Sequence, residues 1–319
     1  FLDRFPRDPR RADALYYRAL LAHRAGRDAT AAGLLESAED PAMVPDHALA
    51  LLRGRVAWAL DQPETALASL EQIDITKLEA STGATVELLR GLGYRATGNT
   101  TAAVDHLKAA AAADSDVADR AHLELGLTLR DADRPDDALE PLARAAASAD
   151  AQLATRAGVA AGDLAQRLKR YDEAADHYRR IVTHHQTSER FPDAMIGLLW
   201  SRHAGGRHRR VIELVATHGD ALPAERQPEA FYLAGSAHAE LGEHEAALER
   251  FEAAEAGGPT KRIADRLLYR KAISHQALDQ PEAMDRTLDR LAREHPDSEL
   301  ADDAAAEIAT AAAEEPRTA

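Results

Sequence analysis

The sequence predicts an all-α fold, a solenoid of about eight helix–turn–helix repeats that ends in a C-terminal capping helix. Apolar residues recur at helical spacing along nearly the whole chain, and short breakers of Gly, Asn, Asp or Pro interrupt them every 35 to 37 residues. Small residues stand at fixed distances from most breakers. Self-similarity with a period of this length is typical of repeat architectures. Because one helix pair buries too little surface to be stable, neighbouring pairs are expected to stack into a continuous core.

Composition narrows the class of protein further. The chain has 319 residues, a formal net charge of −15 and no cysteine. An apolar content of 45% excludes a disordered tail, and the lack of cysteine excludes a disulfide scaffold. The sequence contains no run of 18 apolar residues, so we expect no transmembrane segment. The acidic balance argues against a nucleic-acid partner, because such binding depends mostly on neutralising phosphates.

The repeats follow one another in order. Each is predicted to contain a first helix, a tight turn and a second helix of similar length. Pro63, Pro135 and Pro281 are expected to open second helices, where the missing N–H is harmless. The units are predicted to start near residues 12, 47, 84, 119, 155, 192, 228 and 265 and to fill residues 12–297.

Close packing is expected where the two helices of a pair cross. A small residue in the first helix allows the backbones to approach, and a bulky residue of the second helix fills the space beside it. The small residues are Ala19, Gly54, Gly91, Gly126, Gly162, Gly235 and Ala272, and the bulky ones are Leu35, Leu70, Leu107, Leu142, Tyr178, Phe251 and Leu288. The sixth repeat departs from this pattern, with Leu199 at the position that is usually small.

The two ends are predicted to differ from the repeats. Residues 1–11 are expected to be the tail of a truncated preceding repeat, since Phe1 and Phe5 stand one helical turn apart as in a second helix. Pro296 stops a helix and Ser298 offers an N-cap for the next one. Residues 298–319 are therefore predicted to form a capping helix and a frayed tail.

The repeat pattern resembles the tetratricopeptide repeat, slightly lengthened from its 34-residue form. The clearest copy consists of residues 231–235, the turn at 242–244, Phe251, Ala254 and Pro259. The resemblance implies a right-handed solenoid without catalytic activity. It also implies that the first helices line a concave groove, which holds a peptide or a segment of a partner protein.

Carried over position by position, the resemblance predicts a set of partner contacts in the first helices. Arginines within the set favour a partner with acidic as well as apolar character. The alternative is that the fifth and ninth residues of each first helix only pack between adjacent repeats. The predicted contacts are Tyr16, Leu20, Leu51, Arg55, Trp58, Leu88, Leu92, Arg95, Leu123, Leu127, Arg130, Ile196, Trp200, Tyr232 and Tyr269.

A search for catalytic chemistry finds no motif. The sequence has no HExxH, no glycine-rich phosphate loop and no GxSxG elbow. The His184–His185 pair is interpreted as the solvated end of a second helix rather than a metal site. The basic stretch 207–210 can be a solvated helix start or can hold an acidic group, and the first is favoured. We therefore expect no catalytic residues, no metal and no cofactor.

These observations predict a non-enzymatic interaction scaffold. Residues 1–9 and 294–304 resemble the proline-containing joins of bacterial cell-envelope repeat proteins, such as the Tol–Pal coordinator and outer-membrane assembly lipoproteins. That resemblance favours the periplasm or cell envelope, with the cytoplasm as the alternative. Two other functions remain open: a regulatory region of a larger enzyme or signalling protein, and an array that associates with itself.

Overall fold

A computed structural model describes residues 8–38 and 41–300. The described residues form sixteen α-helices and two short 3-10 helices and contain no β-strand, which confirms the all-α solenoid fold. The chain divides into two compact units, residues 1–160 and residues 161–319. Of the predicted capping helix and tail, residues 301–319 lie outside the described residues, as do residues 1–7 of the predicted N-terminal tail.

Unit 1 consists of four helix pairs and the first ten residues of a ninth helix. Consecutive helices from α1 to α8 pack on one another, and each first helix also contacts the next first helix from α1 to α7. The helices are α1 (Arg11–Arg24), α2 (Asp28–Glu36), α3 (Asp46–Ala59), α4 (Pro63–Glu71), α5 (Ala80–Ala96), α6 (Thr100–Ala112), α7 (Ala118–Asp131), α8 (Pro135–Ala145) and α9 (Ala151–Arg167), with a 3-10 turn at Ile75–Lys77.

Unit 2 takes the rest of α9 and seven further helices. Its consecutive helices from α10 to α16 pack on one another, and α13 contacts both α11 and α15. The helices are α10 (Tyr171–His184), α11 (Phe191–Ala204), α12 (His208–His218), α13 (Gln227–Glu240), α14 (His244–Ala256), α15 (Ala264–Ala277) and α16 (Pro281–Glu294), with a 3-10 turn at Gly219–Ala221.

All eight helix pairs close with the same turn. A residue with positive φ lies two positions after the first helix and two positions before the second, and it recurs every 35 to 37 residues. The N–H that follows it donates to the carbonyl five residues earlier at 2.7–3.0 Å, as in a Schellman motif. The positive-φ residues are Gly26, Asp61, Gly98, Asp133, Lys169, Gly206, Gly242 and Asp279. The connectors between pairs, in contrast, vary from five to nine residues.

The predicted helix crossings are present. A Cβ atom built on Gly91 would lie 2.6 Å from Leu107 Cγ, and one built on Gly235 would lie 2.7 Å from the Phe251 ring. These two bulky side chains are fully buried. Glycine is therefore required for packing at these positions, because any side chain would displace the second helix.

The sixth repeat solves the crossing differently. Leu199 and Val215 are both buried, so the larger side chain lies on the first helix and the smaller one on the second. Tyr178 of α10 meanwhile packs against two glycines, Gly162 and Gly197, each of which would place a Cβ 2.5 Å from the ring. Gly197, two positions before Leu199, thus makes room for the tyrosine of the preceding repeat.

Candidate functional site

Seven of the fifteen predicted contact residues are buried. Leu88 and Leu123 are each 2% exposed, as expected for residues that pack between neighbouring helices. These seven side chains are therefore covered by neighbouring parts of the fold, which the packing alternative also expects. The seven are Tyr16, Leu88, Leu92, Leu123, Leu127, Ile196 and Tyr232.

The other eight retain surface. Arg55 is exposed, and the remaining side chains are half-buried. Leu20 packs against the core cluster of α1–α3, and Leu51 packs against that of α3–α5. A partner contact at these positions stays a prediction, as it does for the buried seven. The eight are Leu20, Leu51, Arg55, Trp58, Arg95, Arg130, Trp200 and Tyr269.

A charged network links the first helices of unit 1. Arg95 of α5 reaches α7, where Nη1 lies 2.9 Å from Glu124 Oε2 and Nη2 lies 2.9 Å from Asp131 Oδ2. Arg130 lies 2.7 Å from the other oxygen of Asp131. Arg156 of α9 contacts the second oxygen of Glu124 at 3.6 Å. Three arginines thus share two carboxylates, and Glu124 is buried between two of them.

Two further arginines occupy the same face without a partner. Arg55 and Arg120 are exposed and form no ion pair with any described residue. In repeats two to five, as far as residue 160, the charged residues on this side of the first helices are five arginines and two carboxylates. The positions counted are the second, fifth, sixth, ninth, twelfth and thirteenth of each repeat. We call this surface the arginine face. It comprises Arg55, Arg95, Arg120, Arg130 and Arg156, together with Glu124 and Asp131.

A second cluster surrounds Trp200 in unit 2. Its indole Nε1 donates to Glu229 Oε1 at 2.7 Å, and Glu229 is almost fully buried. The Arg262 guanidinium lies 5.2 Å from the indole centroid and 3.5 Å from the same carboxylate oxygen. Arg226 contacts the other oxygen of Glu229 at 3.5 Å and also pairs with Asp193. The indole is therefore held in one orientation from two sides.

The Trp200 cluster continues into the core through Tyr232. The two ring centroids lie 6.2 Å apart, and Tyr232 lies 6.2 Å from Phe251. Burial raises the pKa of Tyr232 above its ordinary value, so the phenol is neutral at physiological pH. Sequence reasoning found Trp200 and Tyr232 but missed Glu229, Arg226 and Arg262. No single-repeat pattern indicates those three residues, because Glu229 occupies the second position of its repeat and the two arginines lie in connectors.

The basic stretch that opens α12 is compensated by acidic neighbours. Arg207 lies 3.3 Å from Asp172, Arg209 lies 2.7 Å from Glu243, and Arg210 lies 2.6 Å from Glu213. This arrangement fits the favoured interpretation of a solvated helix start.

Histidines 203 and 208 flank the turn that precedes this stretch. Their rings meet edge to face with centroids 5.1 Å apart. Burial, assisted by His208 and Arg270, lowers the pKa of His203 to about 4, so its imidazole is neutral at physiological pH.

Two kinds of feature are absent from the described residues. In the ranges 8–38 and 41–300, no three His, Asp or Glu side chains come together as a metal centre would require. Within those ranges, no helix is both long enough and apolar enough to cross a membrane.

Comparison with known proteins identifies the repeat. A sequence profile of the tetratricopeptide repeat matches residues 1–48 and 88–154, and a second profile of this repeat matches residues 266–298. No curated protein matches the sequence significantly.

Solved structures of similar fold are also tetratricopeptide-repeat proteins. The C-terminal part of such a protein from Cytophaga hutchinsonii is 10% identical, with a TM-score of 0.54 over 91% of this chain and 98% of that one. A tetratricopeptide-repeat protein from Parabacteroides merdae is 17% identical, with a TM-score of 0.45 over 82% of this chain and 98% of that one. At these identities the likeness concerns the fold alone. The repeat profiles and the Cytophaga structure show that this chain contains tetratricopeptide repeats, a repeat that generally binds other proteins without catalysis.

Proposed function

We propose that the protein is a non-catalytic scaffold whose arginine face binds an acidic segment of a partner protein. The observation that carries the proposal is the excess of arginine on this face, five against two carboxylates, in a chain of net charge −15. A local positive surface on an acidic protein attracts an acidic partner and repels a basic one. Half-buried Leu51 and Trp58 border the arginines and offer apolar contact.

The arginines divide into two groups with different roles. Arg95, Arg130 and Arg156 are already oriented by Glu124 and Asp131, which lowers the entropy lost when a ligand binds. Arg55 and Arg120 carry free guanidinium forks, which pair well with carboxylates. Arg55 and Arg120 would form new ion pairs with the partner's carboxylates. The arginines held by Glu124 and Asp131 would contribute side chains that are already fixed in position.

The proposal is tested by selecting displayed 12-residue peptides on the full chain and measuring the affinity of enriched sequences by calorimetry. We expect enrichment of Asp and Glu. The double variant Arg55→Glu/Arg120→Glu replaces two attractive charges with two repulsive ones. It should therefore weaken binding of the acidic peptide at least ~10-fold, which corresponds to about 1.4 kcal/mol of binding free energy. Binding should also weaken with added salt.

The matched control is Arg250→Glu/Arg293→Glu, which makes the same charge change on exposed second-helix positions of α14 and α16. It should bind like the unmodified chain. If both double variants lose affinity equally, the effect reflects net charge alone and the arginine face is not the site. Enrichment of basic or uncharged peptides would also contradict the proposal.

We further propose a location in a bacterial cell envelope, where the scaffold would serve assembly or transport. Support comes from the proline-containing joins at residues 1–9 and 294–304. Fractionation of the source cell, followed by immunodetection, should place the protein with periplasmic or envelope markers. Detection only in the cytoplasm would overturn this location and would favour a regulatory region of a larger enzyme.

A further inference from the structure

We infer that His203 and His208 together bind a divalent first-row transition metal ion, of the kind that prefers imidazole ligands, such as Cu²⁺, Ni²⁺ or Zn²⁺. The two histidines lie on either side of the turn between α11 and α12. Their ring centroids are 5.1 Å apart and the ring planes cross at 73°. This site is separate from the arginine face and does not depend on it.

Each ring has a buried nitrogen without a hydrogen bond. His203 Nε2 and His208 Nδ1 are both out of contact with solvent and unpaired throughout the described part of the chain. Buried polar atoms in native proteins nearly always have a partner, and a bound ion can satisfy those that lack one within the protein. We take these two atoms, in imidazoles whose centroids lie 5.1 Å apart, as the two protein ligands of one ion.

The separation of the rings fits a common ion. With metal–nitrogen bonds of about 2.0–2.1 Å and a tetrahedral angle, two coordinated imidazoles have centroids about 5 Å apart. The fold also brings these two positions together elsewhere. In the first repeat they are occupied by His23 and Asp28, whose Nδ1 and Oδ1 atoms lie 2.5 Å apart across the equivalent turn.

The surrounding charges permit a cation. Arg270 faces this region, but it is paired with Glu240 at 2.6 Å. Arg207 and Arg209 are likewise paired with carboxylates. Because no group of three ligands occurs in the described residues, water would complete the coordination. The ion would link the end of α11 to the start of α12.

The test uses Cu²⁺ alone, the divalent ion that nitrogen sites bind most tightly. The protein is the full chain without an affinity tag, carrying Trp58→Phe so that Trp200 is its only tryptophan. Trp200 lies one helical turn before His203 and should be quenched by the ion. We expect one equivalent to quench it, and the electron paramagnetic resonance spectrum of that complex to show two nitrogen ligands.

The variants His203→Gln and His208→Gln should each bind Cu²⁺ at least ~10-fold more weakly. Circular dichroism of both single variants would reveal a folding defect, and measuring two variants guards against one. The control His184→Gln/His185→Gln removes the other adjacent histidine pair and should bind like the parent. Unchanged affinity in both single variants, a spectrum with one nitrogen, or a loss confined to the control would overturn the inference.

Discussion

Gly126 of α7 and Leu142 of α8 are in direct contact where the fourth helix pair crosses. A Cβ atom on the glycine would lie 2.5 Å from Leu142 Cγ and 3.1 Å from the carbonyl oxygen of Ala138. The leucine side chain is fully buried, so it has no free space into which to move. The helix pair is thus held together at a point where only hydrogen fits.

Gly126→Ala should therefore destabilise the protein although alanine favours a helix. The gain in helix propensity is about 1 kcal/mol, whereas overpacking costs about 1–3 kcal/mol. We expect a lower midpoint of thermal unfolding. The control is Gly33→Ala in α2, where an added Cβ meets nothing within 4 Å. That variant should be as stable as the parent or more stable, and equal midpoints for the two variants would contradict the packing argument.

Lys169→Gly should stabilise the fifth helix pair. Lys169 has φ of 60°, a conformation that costs an ordinary side chain about 1–2 kcal/mol and costs glycine little. Part of the gain is offset by the greater freedom of glycine in the unfolded chain, so an increase of about 0.5–1 kcal/mol in unfolding free energy is expected. Urea denaturation measures it. Lys108→Gly, within α6, should instead lose about 1 kcal/mol.

Arg90→Ala should be among the most damaging single changes in unit 1. Arg90 is buried, pairs with buried Glu87 at 3.2 Å, and donates to the carbonyl oxygens of Leu70 and Ile73 at 2.9 and 2.7 Å. Its loss leaves two carbonyl oxygens without their donor and leaves buried Glu87 with His106 as its partner, at 2.5 Å, which together costs about 3 kcal/mol.

Arg53→Ala provides the comparison for Arg90. Arg53 donates to the carbonyl oxygens of Leu35 and Ala38 in the same way, but at 3.3 and 3.5 Å and with no carboxylate partner among the described residues. We expect a loss of about 1 kcal/mol, to be measured beside Arg90→Ala by urea denaturation. A larger loss for Arg53→Ala would show that carbonyl capping, rather than the buried charge, dominates.

His177 should make stability depend on pH. Burial lowers its pKa below the ordinary value of 6.5, so between the lowered pKa and 6.5 the unfolded chain binds more protons than the folded one. The stability that the neutral imidazole allows is present above pH 6.5 and is lost as the pH falls below it. Urea denaturation at pH 7.5 and 5.5 should show a smaller loss for His177→Gln than for the parent. Equal losses would show that His177 does not contribute.

Glu229→Ala should release the Trp200 indole, which loses its hydrogen-bond acceptor. In a Trp58→Phe background, we expect tryptophan emission to shift to longer wavelength and unfolding free energy to fall by about 1–3 kcal/mol. Glu229→Gln keeps an acceptor oxygen and should retain the parent spectrum. An unshifted spectrum in Glu229→Ala would mean that packing against Tyr232, rather than the carboxylate, fixes the indole.

The sequence predicts features that lie within one repeat. Gly91 and Leu107, which are in contact, stand sixteen positions apart in the sequence, and the same spacing recurs in other repeats. The pattern of small and bulky residues is therefore sufficient to predict this contact. The turns are predictable for the same reason. Four of them nevertheless use Asp or Lys where φ is positive, and only the repeat register indicates the left-handed residue there.

The candidate surfaces were less accessible to sequence reasoning. The sequence pattern around an apolar residue such as Leu123 is the same whether its side chain lines a groove or packs between repeats. In the structure Leu123 is buried. The bonds of Arg95 to Glu124 and of Trp200 to Glu229 span 29 residues each. They depend on how one repeat is stacked on the next, which the pattern of a single repeat does not specify.

The constancy of the turn and the variability of the connectors have an evolutionary consequence. All eight described hairpins close with the same backbone hydrogen bond, while the connectors range from five to nine residues. We therefore expect insertions and deletions to be tolerated between hairpins rather than within them. The unit that recombination would duplicate or delete is then one complete helix hairpin. A lineage can lengthen or shorten such a chain in steps of about 36 residues and keep its local architecture intact.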